Sequence, residues 1–229
     1  MKIGIIGAMS VEVEALKAKL EDSHTETVSG IEFYCGRLFG KQTVVARCGI
    51  GKVFAAICAQ TMILAFGVDR IINTGVGGTL TDRLGILDVA IADGVVQHDM
   101  DTSPLGDPVG LISGINKVVL PTSATLADAA QKAAKKLGYN CECGIVASGD
   151  QFIGSKQKKN FIAQTFSAIC CDMEGAAIGQ VCYVGGVECL IVRAISDSAD
   201  GQAEMDYGRM VELAATRSQA MIEEIFELI

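Results

Sequence analysis

Three carboxylates in this chain stand where a protein of alternating strands and helices builds reactive sites, at or just past the carboxyl ends of apolar runs. Glu12 follows the run 2–8 (KIGIIGA) and falls in the first turn of a helix that Ser10 is placed to cap. Asp197 closes the run 188–196 (ECLIVRAIS), which carries Arg193 within it, and Glu174 lies in 170–177 (CCDMEGAA), where a strand passes straight into an Ala-rich helix. Each has a plain explanation taken alone. An acid at a helix start gains from the helix dipole, and an Arg and an Asp in one buried strand can pair with each other. Taken together they suggest more. Two carboxylates divide acid and base duty when burial raises one pKa and leaves the other ionised, an arrangement that cleaves bonds through oxocarbenium-like transition states.

The elements that must bring these groups together follow from the hydrophobic pattern. Short apolar runs at 2–8, 43–48, 69–74, 87–96, 143–148, 167–172 and 188–196 predict buried strands. Helical spacing is predicted over 10–20, 52–66, 123–137, 174–184 and 204–228. Alternation of this kind, with strands apolar on both faces, predicts an α/β fold: one domain over 1–229, three layers α/β/α around a central mixed, distorted sheet. The stretch 97–122 breaks the alternation. An irregular segment of that length in a compact domain is a candidate wall or lid of a site.

Composition excludes several classes. With 19 Lys plus Arg against 27 Asp plus Glu, the formal charge of −8 argues against a nucleic-acid partner. No apolar run approaches the ~20 residues that span a bilayer, and the run at 2–8 is too short for a signal peptide, so a cytoplasmic protein without membrane partners is expected. Nine cysteines cannot all pair internally, none forms a C-x-x-C, and with only His24 and His98 the usual Cys/His zinc spacings are missing. They read as reduced, buried small hydrophobes, with Cys171 near enough to Asp172 to touch a site.

Two glycine motifs fail on inspection. A dinucleotide turn needs glycine two places after Gly4, and Ile6 stands there. Gly51-Lys52 resembles the end of a P-loop, yet Ala46 holds the place of the first glycine and Val53 that of the magnesium-binding hydroxyl. The 73–79 stretch (NTGVGGT) could approach a ligand with bare backbone, or simply pack tightly.

Six blocks in order resemble the 5′-methylthioadenosine/S-adenosylhomocysteine nucleosidase family: 1–9 (MKIGIIGAM) with Glu12, 49–52 (GIGK), 72–75 (INTG), 148–153 (SGDQFI), 172–177 (DMEGAA) and 193–197 (RAISD). The resemblance runs the length of the chain. It implies the fold of the purine nucleoside phosphorylases, a homodimer, an adenosine-type nucleoside as substrate, and no metal or organic cofactor. Asp197 would be the general acid toward purine N7, its proton retained through apolar surroundings, and Glu12 would activate water. Arg193 would neighbour that water and the ribose, and Glu174 would accept hydrogen bonds from the 2′- and 3′-hydroxyls. Phe152 would stack on adenine, the Ile153 backbone would pair with its edge, and Met9, Ile50, Val76, Asp172, Met173 and Ser196 would line the substrate. The 98–105 segment would lie near the site of the neighbouring subunit.

Position 76 is Val where some members have Ser, Asp172 stands where Glu is more familiar, and the segment 98–104 diverges after its His-Asp-x-Asp opening. His98 is given no catalytic part, since this chemistry has no need of imidazole. Two alternatives stay open: a phosphorylase of the same fold, and a nucleoside-binding module without catalysis. An ionised Glu12 disfavours the first, because at 4 Å a like-charge pair costs about 4 kcal/mol at an effective dielectric of 20. Holding both an acid and a base disfavours the second. The nature of the 5′-substituent, among methylthioadenosine, S-adenosylhomocysteine, 5′-deoxyadenosine and 6-amino-6-deoxyfutalosine, is left to loop conformation.

Overall fold

The computed structural model describes residues 1–199 and 207–229. Strands β1 (Lys2–Gly7), β4 (Lys41–Arg47), β5 (Arg70–Thr79), β6 (Val89–Gln97), β8 (Cys141–Ser148), β9 (Ala168–Asp172) and β10 (Glu188–Asp197) form where the apolar runs lie. Helices α1 (Ser10–Ala18), α2 (Lys52–Leu64), α3 (Ala124–Leu137), α5 (Gly175–Gly185) and α6 (Tyr207–Leu228) follow the helical spacing. Positions 204–206 of the last expected helix lie outside the described residues. Three further elements had no counterpart in the hydrophobic pattern: β2 (Glu21–Val28), β3 (Ile31–Leu38) and α4 (Lys156–Phe166). The irregular stretch 97–122 holds one 3-10 turn at Ser103–Leu105 and a two-residue strand, β7 (Leu120–Pro121), beside β6.

The ten described strands join one mixed sheet in the order β10-β6-β8-β9-β5-β1-β4-β3-β2, with β7 on β6. Its distortion goes as far as closure. Strand β10 pairs with both β6 and β5, so β5, β10, β6, β8 and β9 make a ring and the remaining strands extend from it as an open wing. Parallel pairs β5/β10, β6/β8 and β8/β9 combine around the ring with antiparallel β10/β6 and β9/β5. On one side α1, α3 and α6 pack over Ile3, Ile5, Ile72, Leu190 and Val192, while α2 and α5 cover Ile6, Val44, Ala46 and Ile71 on the other. This is the three-layer arrangement expected.

Closure brings the carboxyl ends of β1, β5, β9 and β10 to one rim. In β10 the register against β5 shifts between Ile195 and Asp197, so that Asp197 meets Gly78. Such an irregularity re-aims side chains at the end of a strand.

Candidate active site

A cavity opens on that rim, about 630 Å³ with its mouth, within the range of small-molecule sites. Met9, Glu12, Ile50, Val76, Phe152, Ile153, Asp172, Met173, Glu174, Ser196 and Asp197 line it together with Ala8, Gly77, Gly78, Gln151 and Cys171. Every sequence-predicted site residue except Arg193 is therefore on its wall. Ile50 and Phe152 stand exposed at the mouth, and the acids are buried within.

Glu12 is held by backbone donors. Its Oε2 accepts the Ala8 and Met9 N–H groups at 2.7 and 2.9 Å, and its Oε1 accepts that of Val76 at 3.0 Å. The expected Ser10 cap is absent, because Ser10 is itself the first helical residue and Met9 takes the cap position, leaving the Glu12 carboxylate to turn back on the orphan donors. Burial pushes the Glu12 pKa up, against the opposing pull of the Arg193 charge and the three N–H donors.

Asp197 faces the same cavity from the end of β10. Its Oδ2 accepts the Ser196 hydroxyl at 2.8 Å and its Oδ1 the Ala199 N–H at 2.9 Å. Both acids press on glycine backbone. A Cβ at Gly75 would sit 2.8 Å from Glu12 Cδ, and one at Gly78 would sit 2.8 Å from Asp197 Oδ1. Gly75 and Gly78 are thus strand residues whose missing side chains make room for the carboxylates, rather than parts of a tight turn, while Gly77 between them lies against Cys170 and the Cys171 carbonyl.

Glu174 bridges two elements. It occupies the cap position of α5, and its Oε1 accepts the Gly51 N–H at 2.9 Å. Gly51 caps α2 with φ of 103°, a conformation that glycine adopts at no steric cost. Burial, together with the nearby negative charges of Asp172 and Glu12, raises Glu174 to about 7 despite Arg193 and the Gly51 N–H.

Arg193, expected from the sequence beside water and ribose, is buried and is not among the residues that line the cavity, although its charge acts on Glu12. It does not pair with Asp197 either. Its Nε donates to Asp172 Oδ2 at 2.8 Å, Nη2 approaches the same oxygen at 2.6 Å and also donates to Asn73 Oδ1, and Glu174 Oε2 is 3.9 Å away. Asp172 further accepts the Ser148 hydroxyl and the Gly175 N–H. Burial works against the guanidinium, but Asp172, Glu174 and Glu12 around it raise its pKa on balance.

Sequence reasoning overlooked Ala8 and Gln151 on the wall, and Asn73 and Ser148 beneath it. A signal existed for the latter pair, each a polar residue inside an otherwise apolar strand (RIINT, GIVAS). It also overlooked the clamp at the first turn of α2. Lys52 Nζ binds Gln97 Oε1 at 2.9 Å and Asp99 Oδ1 at 2.6 Å, while the Lys52 N–H reaches Asp150 Oδ1 at 2.7 Å. Asp99 Oδ2 in turn accepts the Asp150 N–H at 2.9 Å. This fixes the 97–100 loop against the 148–153 segment that carries Phe152 and Ile153. His98 is buried off the cavity wall, and its pKa is lowered by that burial. All nine cysteines are free thiols, six of them buried.

The arrangement can protonate one end of a bound molecule, activate water at the other and stabilise positive charge between them. Comparison with known proteins places the chain in a family. The profile of the phosphorylase superfamily matches residues 2–227. A 5′-methylthioadenosine/S-adenosylhomocysteine nucleosidase of Shewanella loihica is 38% identical over 97% of both chains. Among solved structures, the nucleosidase of the same name from Neisseria meningitidis, in complex with methylthio-immucillin-A, shares 33% identity at a TM-score of 0.95, covering 100% of this chain and 99% of its own. The futalosine hydrolase of Helicobacter pylori shares 35% identity at a TM-score of 0.95, covering 100% and 98%.

Proposed function

Since this chain belongs to the phosphorylase superfamily, and within it to the 5′-methylthioadenosine/S-adenosylhomocysteine nucleosidases, which are N-ribosyl hydrolases, we propose that it hydrolyses the N-glycosidic bond of both nucleosides, releasing adenine and the 5-thio-substituted ribose. The observation that carries this reading is that Glu12 and Asp197 line one cavity, each seated against glycine backbone.

Asp197 delivers a proton to purine N7, so adenine leaves as a neutral molecule. Ser196 and the Ala199 N–H orient its carboxyl. Glu12 accepts a proton from the attacking water, and its raised pKa makes it a stronger base than an ordinary carboxylate. Glu174 receives the 2′- and 3′-hydroxyls and sets negative charge beside the ribosyl cation as it forms. Arg193 acts as a positioning residue: through Asp172 it holds the β9 end, and its charge tempers the repulsion among three carboxylates. Phe152 stacks on the base, the Ile153 backbone pairs with its edge, and Met9, Ile50, Val76 and Met173 enclose the sugar and its 5′-substituent.

The same carboxylates favour water over phosphate, since an incoming dianion would meet Glu12 and Glu174 with no Arg or Lys among the described residues of the wall. The protein acts in the cytoplasm as a homodimer on this reading. Val53, Phe54, Ile57 and Leu64 of α2, with Tyr183 and Val184 of the adjoining α5, leave an exposed apolar face that a second copy would cover, with the 98–105 segment toward the neighbouring site.

The test is to incubate the protein, in phosphate-free buffer, with methylthioadenosine, S-adenosylhomocysteine, 5′-deoxyadenosine and 6-amino-6-deoxyfutalosine, and to chromatograph for adenine and the sugar. Free sugar with or without added phosphate is expected. Ribose 1-phosphate would identify a phosphorylase, and tight binding of an adenosine analogue with no adenine formed would identify a binding module.

A further inference from the structure

The β2–β3 hairpin, outermost in the sheet and remote from any wall of the cavity, brings three unlike metal ligands together. His24 and Cys35 are direct cross-strand partners, and Glu26 lies two residues further along β2, on the same face as His24. One donor atom from each, an imidazole nitrogen, a carboxylate oxygen and a sulfur, all lie within 4.8 Å of one another. A register irregularity between Glu21 and His24 opens this stretch of β2. The spacing escaped the sequence reading because the ligands meet across strands rather than in a Cys/His motif.

We propose that His24, Glu26 and Cys35 bind one borderline divalent transition-metal ion, zinc(II) foremost, with water as the fourth ligand. His24 Nε2 and Glu26 Oε1 are hydrogen-bonded at 3.3 Å, which already sets them near the ligand-to-ligand edge of about 3.4 Å that metal bonds of ~2.1 Å give in a tetrahedron. Mixed nitrogen, oxygen and sulfur donors suit zinc or cobalt, whereas magnesium and calcium want oxygens alone. On binding, the Cys35 thiol releases its proton to solvent as the metal–sulfur bond forms, and His24 coordinates as the neutral ring. Thiolate and carboxylate then cancel the charge of the ion.

The hairpin gives such an ion something to do. In β2 every side chain but Val28 is exposed, so the strand has almost no core contact of its own, and a metal shared with β3 would staple the sheet edge.

Metal-free protein titrated with cobalt(II), then with zinc(II) against a chromophoric chelator, tests the site. One ion per chain is expected, with a thiolate-to-cobalt charge-transfer band and the strong visible absorption of a four-coordinate centre. Cys35→Ser should abolish the band, His24→Ala and Glu26→Gln should each weaken zinc at least tenfold, and Cys141→Ser, a half-buried thiol elsewhere, should change neither. Zinc should raise Tm in the wild type and not in Cys35→Ser, while magnesium does nothing to either. Circular dichroism of the ion-free variants verifies that they fold. Failure of the wild type to bind, or a cobalt spectrum that survives Cys35→Ser, overturns the proposal.

Discussion

The rim of the cavity and the layer directly beneath it are equally buried and follow opposite rules. Below, Arg193 is matched to Asp172, which also borders the cavity, and Asn73, Ser148 and Gly175 supply further hydrogen bonds, so that each charge has a charged or hydrogen-bonded partner. Above, Glu12 and Asp197 touch no cation among the described residues and are held by N–H groups and one hydroxyl. A buried acid neutralised by a guanidinium is a poor base and a poor proton donor. One held only by backbone dipoles keeps its chemistry. On the proposed reading, the molecule thus separates the charges that secure its strands from those that react, although only a few residues divide them.

Substitutions that strike one layer and spare the other put this contrast at risk. The upper layer should respond most: Asp197→Asn or Glu12→Gln should lower adenine release at least 100-fold, given the ~10²–10⁴ typical of acid–base catalysis, with Tm little changed. Parallel losses of activity and Tm would erase the distinction. Below, Asp172→Ala strands the Arg193 charge and should cost about 3–5 kcal/mol of stability, read by urea denaturation. The double variant with Arg193→Met should recover part of that loss, which a purely steric effect of Asp172 would not allow.

Gly75→Ala tests the seat itself. The added methyl must displace the Glu12 carboxylate, and a shift on the order of 1 Å should cost up to ~100-fold in turnover while substrate affinity holds. A subtler change concerns Glu174. Its pKa rises from an ordinary 4.5 to about 7 on folding, so the unfolded chain binds fewer protons between those values and stability falls as pH rises through that window. Glu174→Gln should therefore raise Tm by a few degrees at pH ~8 and leave it unchanged at pH ~4, where both states are protonated. For the wild type, kcat/KM should climb toward neutral pH as Glu12 and Glu174 ionise.

Seven buried strands and the three-layer plan were legible because burial on both faces leaves continuous apolar runs. The β2–β3 hairpin was not, since β2 (EDSHTETV) is polar throughout and exists only by pairing with β3. Helix α4 was equally silent, burying only Ile162 and Phe166 of its eleven residues. At the site, position at the strand ends pointed to Glu12, Glu174 and Asp197, and the cost of burying charge to Arg193 and Asp197. It could not say that Arg193 would choose Asp172 over Asp197, four residues away in the same strand. That choice depends on ring closure, which brings β9 and β10 to either side of β5.

The first turn of α2 ties distant parts of the molecule to one another. Its Gly51 N–H holds the acid assigned to the ribose, its Lys52 anchors two loops, and the next residues, Val53 and Phe54, project outward from the apolar face. Were a second copy to cover that face, as proposed, pressure on it would reach the sugar site through a single helical turn, so that assembly and turnover would share a mechanical linkage and dilution of the protein would tune its catalysis.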